Sequence, residues 1–269
     1  MSLPSPDPQA TVLITGASSG IGAELARQLG RRGHNLTLAA RRKDRLEAVA
    51  EEIRADSGVD VDVRKSDLSA QAQRTRLIKA LLEGERHVAA VCNNAGYGTF
   101  GKFQDLDFDR ELDEVRLNVV ALHELTSAFL PGMLERRAGA ILNVASIAGF
   151  QPLPTQATYG ATKAFVVSFS EALHTDLGGT GVSCTVLCPG PVRTEFVEVA
   201  GMSEFENTGP DFVWAEAADV ARAGIDGMAR GKRVVFPAIA HQAVAMGGRF
   251  APRTLLLPLL ERVASPDRS

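Results

Sequence analysis

Cysteine is scarce in this 269-residue chain: Cys92, Cys184 and Cys188 lie in or beside apolar runs, with no metal-type spacing. That pattern favours free, buried thiols in a reducing compartment over a disulfide framework. His34, His87, His123, His174 and His241 form neither HxxxH nor HExxH, so no metal site is expected. An excess of one charge is also missing. A net charge of −3 gives no electrostatic case for nucleic acid or an anionic membrane. No run reaches the roughly 18 apolar residues of a membrane span. The opening MSLPSPDPQA lacks a basic segment followed by an apolar one, so a cytoplasmic protein without a signal peptide is expected.

What is present is ordinary globular composition, 45% hydrophobic and 23% charged, in a chain long enough for one sizeable α/β core. No internal repeat or low-complexity linker divides it, so residues 1–269 read as a single domain. Short apolar runs at 11–15, 35–40, 59–63, 88–92, 140–145, 182–188 and 233–236 read as strands. Helical periodicity fills 20–32, 43–55, 69–83, 108–136, 157–177 and 217–229, and Gly33 is placed for a left-handed cap on the first helix. Continuous apolar strands suit a parallel sheet covered on both faces, and repeated βα units predict a doubly wound Rossmann fold. Two regions break the rhythm. Residues 194–216 are long for a connection and carry Phe196, Met202, Phe205, Phe212 and Trp214, as a substrate loop would. The tail, 238–263, contains the helix-like HQAVAMGGRF and RTLLLPLLERV. Its LLLPLL segment is short and carries few cations, so burial on the body or on a partner subunit is expected over membrane contact.

The first strand runs into TGASSGIGAELARQL. Gly16 permits the turn, Gly20 lets a phosphate approach bare backbone, and Gly22 allows close packing of helix on strand. The helix N-terminus offers unpaired N–H groups to a pyrophosphate. The spacing is GxxxGxG, so the standard GxGxxG fingerprint is not matched literally. GASSG also fits GxSxG, the nucleophile elbow of α/β-hydrolases, with His174 or His241 as the base. His174, however, falls within the helix carrying Tyr159, and neither histidine follows a strand in a loop. At the end of the second strand, where an acid would read the ribose of NAD, stand Arg41 and Arg42. A guanidinium pairs bidentately with a 2′-phosphate, so NADP(H) is favoured over NAD(H). Arg41 directly ends the strand and is the expected contact. Arg42, Lys43 and Arg45 read as the solvated start of the next helix.

With TGASSGIG (15–22), DL (67–68), NNAG (93–96), Asn118, Ser146, YGATK (159–163) and PGPVRT (189–194) in this order, the chain resembles the classical short-chain dehydrogenase/reductase family. The likeness covers roughly residues 10–194 and continues more loosely to the end. It implies a seven-stranded parallel sheet ordered 3-2-1-4-5-6-7. Tyr159 would then exchange a proton with the substrate oxygen, and Lys163, one helical turn on, would favour phenolate over phenol and reach the nicotinamide ribose. Ser146 would hold the substrate oxygen. Asn118 would support a water-linked proton path to the lysine.

For the cofactor, the resemblance implies a phosphate loop of Gly16, Ser18, Ser19, Gly20, Ile21 and Gly22, with Asp67 on the adenine amino group beside Leu68. Asn93, Asn94, Ala95 and Gly96 would line the adenosine side, and Pro189, Gly190, Val192 and Thr194 would meet the carboxamide. Homodimers or homotetramers are common in the family. The loop IAGFQPLPTQ, with Phe150, Leu153 and Pro154, suits a hydrophobic ketone, aldehyde or secondary alcohol. Three alternatives remain open: a dinucleotide-binding regulator without turnover, an extended-family epimerase or dehydratase, and the GxSxG hydrolase. The glycine spacing and chain length argue against the second.

Overall fold

The computed structural model describes residues 3–201 and 214–264. Five βα units and a sixth strand come first. The strands are β1 (Ala10–Thr15), β2 (Leu36–Ala40), β3 (Val61–Lys65), β4 (His87–Asn93), β5 (Gly139–Val144) and β6 (Val182–Leu187). Between them run α1 (Gly20–Arg31), α2 (Lys43–Ser57), α3 (Gln71–Leu82), α4 (Phe108–Arg136) and α5 (Ala157–Asp176). Two short strands, β7 (Val192–Arg193) and β8 (Ala215–Glu216), flank the short helix α6 (Phe196–Val199) and pair only with each other. After α7 (Ala217–Ala229), the two-residue β9 (Val234–Val235) completes the main sheet against β6. The order is β3-β2-β1-β4-β5-β6-β9, parallel throughout. The expected order therefore holds, with β9 as the seventh strand.

Alternation along each strand explains why these strands read as unbroken apolar runs. Val12 and Ile14 on β1, and Leu142 on β5, face a core shared with α1, α2 and α7. Their neighbours Leu13 and Ile141 face the opposite core, with Leu77 of α3 and Leu125, Phe129 and Met133 of α4. A sheet buried on both faces has no polar side to spare. At β1 the crossovers diverge, β2 to one side and β4 to the other, and this switch opens a crevice at the strands' carboxyl ends.

Most boundaries agree with the sequence within one or two residues. β3 departs most, starting two residues later than expected, at Val61, and running through charged residues to Lys65. Its register is set by pairing Leu36 with Val61 at the sheet edge, where polar side chains meet water. Gly33 adopts φ +88 just past α1, as the cap requires. Cys92, Cys184 and Cys188 are free and buried, and burial pushes the thiols of Cys92 and Cys184 up to about 12.

α4 is long and apolar enough, by length and composition, to cross a bilayer, although the sequence shows no single long apolar run. Its apolar face packs on the sheet through Leu122, Leu125, Phe129 and Met133, as a core helix does. The tail forms α8 (Ile239–Phe250) and α9 (Arg253–Ala264). Of the two coverings expected, the body supplies none for Leu255 and Leu259, which are 71% and 59% exposed in the single chain; a partner subunit is the alternative that remains. Met202, Phe205 and Phe212 lie outside the described residues.

Leu142 is fully buried in β5 next to Leu187 and Gly224. Leu142→Ala should cost about 2–5 kcal/mol of unfolding free energy, read as a lower denaturant midpoint. A midpoint equal to the parent's would show that this face of the sheet is not close-packed.

Candidate active site

The crevice holds a cavity of about 600 Å³. Its floor is the turn from β1 into α1. Gly16 has φ +66, and a Cβ there would lie 2.9 Å from the Ala95 Cα. A Cβ on Gly22 would lie 2.3 Å from the Gly16 carbonyl oxygen. Gly22 therefore acts by packing and does not line the cavity, whereas Gly16, Ser18, Ser19, Gly20 and Ile21 do. Asn94 fixes this turn to the end of β4: its Nδ2 donates to the carbonyls of Thr15, at 2.9 Å, and Gly16, at 3.3 Å. The backbone N–H groups of Asn94 and Ala95 both donate to Thr15 Oγ1 at 3.0 Å. The α1 N-cap, Ser19, makes no side-chain capping bond, and the first turn carries no acid. Its N–H groups and partial positive charge are thus available to an anion.

Asn94, Ala95 and Gly96 line the cavity as expected, but Asn93 does not. Its amide turns into the core, donating to Thr126 Oγ1 at 3.1 Å and Asn143 Oδ1 at 2.9 Å. Asp67 and Leu68 lie at the far end of the cavity, and Asp67 Oδ1 accepts from the Ser69 backbone N–H and hydroxyl. Arg41 lines the rim. Arg42, expected to be solvated, is instead bonded to the glycine turn: its Nη2 donates to Ser19 Oγ at 2.8 Å and to Ser18 Oγ at 3.1 Å. Its Nη1 donates to Glu195 Oε2 at 2.8 Å, and Arg45 bonds the other oxygen of the same carboxylate. These two guanidinium groups hold the Glu195 carboxyl down at about 2. Sequence reasoning missed Arg42 and Glu195. The only signal for the acid is its place directly after PGPVRT.

At the opposite end, Ser146 follows β5, and Tyr159 and Lys163 stand one turn apart on α5; all three line the same cavity. The Ser146 hydroxyl donates to the Pro189 carbonyl at 3.4 Å and accepts the Ala148 N–H at 3.1 Å. Lys163 Nζ donates to the Val144 carbonyl at 2.9 Å and sits 5.6 Å from the centroid of the Tyr159 ring. Gly98 makes room for that ring, since a Cβ there would lie 3.0 Å from Tyr159 Cδ2. The ring also meets Phe196 of α6 at 5.4 Å between centroids, and the same Cβ would lie 3.2 Å from Phe196 Cζ.

Burial pushes the Tyr159 phenol well above its ordinary value, opposed by the Ser146 hydrogen bond and reinforced by Glu114. Burial also lowers Lys163 to about 8, opposed by Glu114 and Cys188. Ser146 thus acidifies the tyrosine in this structure, while the lysine's own charge is made less secure by the site that holds it.

Asn118 lies in a π-helical turn of α4, Arg116–Ala121, and does not line the cavity. Its Nδ2 donates to the Tyr97 carbonyl at 2.9 Å and Thr162 Oγ1 at 3.1 Å, and its Oδ1 accepts the Tyr97 N–H. A Cβ on Gly96 would come 2.8 Å from Asn118 Oδ1 and 3.6 Å from Lys163 Nζ, so the amide lies just behind the lysine. Pro189, Gly190, Val192 and Thr194 line the cavity wall. Leu153, Phe196, Val199 and Trp214 add apolar surface. Phe150 instead packs on Phe236 in the core, 5.5 Å between centroids, and does not line the cavity.

The GxSxG reading finds no base. Ser18 pairs with Arg42, and His174 Nδ1 is bonded to the Cys184 carbonyl at 2.8 Å. The His241 ring lies against Gly190, where a Cβ would be 2.5 Å from His241 Cδ2.

A family model described as short chain dehydrogenase matches residues 10–204. Sulfoacetaldehyde reductase of Chromohalobacter salexigens is 42% identical over 193 residues, which are 70% of this chain and 74% of the relative. A short-chain dehydrogenase from Sphingobium yanoikuyae, solved with NADPH, superposes with a TM-score of 0.80 at 34% identity, covering 97% of this chain and 96% of that one. The bulky-bulky ketone specific alcohol dehydrogenase of Comamonas testosteroni gives 0.76 at 31% identity, over 92% and 98% of the two chains. By sequence, sheet order and relatives, the chain belongs to the short-chain dehydrogenase/reductase family, oxidoreductases that act on CH–OH and C=O groups.

Proposed function

We propose that the protein is an NADP(H)-dependent oxidoreductase that interconverts a hydrophobic ketone or aldehyde and its alcohol, with Tyr159 as general acid and base. The observation that carries this reading is that Ser146, Tyr159 and Lys163 share one cavity with the glycine turn and the α1 N-terminus. The residues fit a dinucleotide phosphate. Gly16 and Gly20 leave backbone bare where an anion must approach, and the α1 N–H groups point at it. When bound, the nicotinamide supplies or accepts the hydride.

The chain's own residues hold the oxygen and move the proton. Ser146 donates a hydrogen bond to the substrate oxygen. Tyr159, kept as a phenol by burial, gives that oxygen its proton during reduction and takes it back during oxidation. Lys163 Nζ lies on the same face of α5 and supplies positive charge beside the ring, which stabilises the phenolate once the proton has gone. Asn118 holds the 96–97 backbone and Thr162 in place around the lysine. At the adenosine end, Arg41 and Arg42 recognise the 2′-phosphate; the likeness to the NADPH-bound Sphingobium structure supports this choice. The apolar wall of Leu153, Phe196, Val199 and Trp214 supports a bulky apolar substrate, as does the likeness to the Comamonas enzyme.

Tyr159→Phe should lower turnover about 10²–10⁴-fold, followed by reduced-nicotinamide absorbance with a panel of apolar ketones, while the NADPH dissociation constant stays near the parent's. Lys163→Ala should damage both turnover and cofactor binding. Normal turnover by Tyr159→Phe would sink the mechanism, and tight cofactor binding without turnover on any substrate would favour a regulator.

Calorimetric titration of the parent should show tighter binding of NADPH than of NADH. Arg42→Ala should weaken NADPH about tenfold or more and NADH far less, because one charged hydrogen-bonding partner of the phosphate is lost. Equal affinities in the parent would overturn the 2′-phosphate assignment.

A further inference from the structure

Behind the reaction centre lies a buried acidic pair with no place in the mechanism above. Glu111 and Glu114, one turn apart on α4, are 6% and 0% exposed. Between them stands one hydroxyl. Thr99 Oγ1 is within hydrogen-bonding distance of Glu111 Oε1 and lies 2.9 Å from Glu114 Oε2. A threonine hydroxyl carries a single proton and can donate to only one carboxylate. The second carboxyl must therefore bring its own proton and donate to Thr99.

The partners decide which one. Both oxygens of Glu111 are engaged, one by Thr99 and the other by the Thr158 hydroxyl. Glu114 Oε1 is buried with no hydrogen-bond partner among the described residues. An ionised carboxylate with an orphaned, buried oxygen is costly, whereas a neutral acid there needs only its one O–H bond. Burial and the Glu111 charge raise Glu114 to about 7, against the pull of Thr99 and Lys163.

Glu114 is placed to be felt at the site. It sits one turn before Asn118, the residue packed behind Lys163. From α5 it faces Lys163 and Tyr159, from the 97–99 segment Tyr97, and from its own helix Glu111; Cys188, after β6, also faces Lys163. We propose that Glu114 is a positioning residue for the reaction: it stores a proton through Thr99, and its ionised form keeps Lys163 charged and Tyr159 protonated. This rests on the tyrosine mechanism proposed above.

The sign is the same for both partners. A negative Glu114 favours the Lys163 ammonium and disfavours the Tyr159 phenolate, so it raises the value of each. Losing that charge lowers both. The alkaline limb of the reductase pH–rate profile should therefore move to lower pH by about one unit in Glu114→Gln, which has the same shape and no charge.

The experiment pairs that profile, measured with NADPH and an apolar ketone, with infrared titration of the full-length protein. The parent should show a protonated carboxylic acid band that persists where ordinary carboxyls are ionised and fades as pH rises through about 7. Glu114→Gln should lose the band and Glu111→Gln should keep it. If Glu114→Gln does not fold, Thr99→Val, which removes the shared hydroxyl and leaves both acids, should shift the band's titration. A band that survives in Glu114→Gln, one that titrates unchanged in Thr99→Val, or an alkaline limb coincident with the parent's would overturn the proposal. The mechanism on which it rests fails separately, by retained turnover in Tyr159→Phe, and the infrared arm does not depend on turnover.

Discussion

The site depends on a contact of backbone with backbone, where the first turn of α1 meets the carbonyl of Gly16. At Gly22 there is no room for a Cβ beside that carbonyl, or beside the Asn94 amide, 2.5 Å from where the Cβ would be. Because the helix sits this close, its N-terminus opens into the crevice at the β1–β4 switch point. Asn94 and Thr15 then tie the turn to the neighbouring strand through four hydrogen bonds. One side of the cavity is thus fixed by geometry that few side chains could replace. Ser146, Tyr159 and Lys163 can be placed against it only because β5 and α5 are anchored to the same sheet.

The opposite wall meets a different constraint, the cost of burying polar groups. Lys163 is 6% exposed, Asn118 2% and Ser146 8%. Each has protein partners: the Val144 carbonyl for the lysine, three bonds for the asparagine, and the Pro189 carbonyl with the Ala148 N–H for the serine. Deeper in, Asn93, Asn143, Thr126 and Ser170 are hydrogen-bonded across β4, β5, α4 and α5, leaving Asn93 Oδ1 buried without a partner among the described residues. Such a network tolerates little slack, and each member fixes the rotamer of the next. Ser146, Tyr159 and Lys163 consequently stand on rigid elements, while α6 and Trp214 form an apolar part of the cavity wall.

The sequence makes the fold and the reacting groups legible for definite reasons. Strands with two buried faces leave an apolar run, and a turn that excludes Cβ leaves glycine. Ser146, Tyr159 and Lys163 follow from residue type and order. Where a side chain points is harder to read. Asn93 and Asn94 are adjacent in one motif, yet on a strand end they face opposite ways, one into the core and one into the crevice. Arg41 and Arg42 show the same ambiguity: the second residue, at the mouth of α2, reaches Ser18 and Ser19. Glu114 is less legible still. Its neighbours in space, Thr99 and Lys163, are far from it in sequence, and a glutamate on an amphipathic helix reads as solvated until packing shows it on the inward face.

Glu195 joins these walls, since it lies just before α6 and bonds the arginines beside the phosphate loop. Its ion pairs are exposed, with side-chain accessibilities of 40% for Arg42, 47% for Arg45 and 37% for Glu195. Exposed pairs of that kind add little to stability, so this tie between loop and α2 is shallow. On the proposed reading, a cofactor phosphate would present more charge than a carboxylate and would find the Ser18 and Ser19 hydroxyls already gathered around Arg42. Exchanging Glu195 for such a phosphate would therefore cost little and gain stronger charge-assisted bonds. It would also free the segment that carries Phe196, whose ring packs on Tyr159. On the proposed reading, the adenosine end and the reacting end are linked through one short stretch of chain, Thr194 to Val199, and the weakness of the Glu195 pairs is what lets that stretch respond.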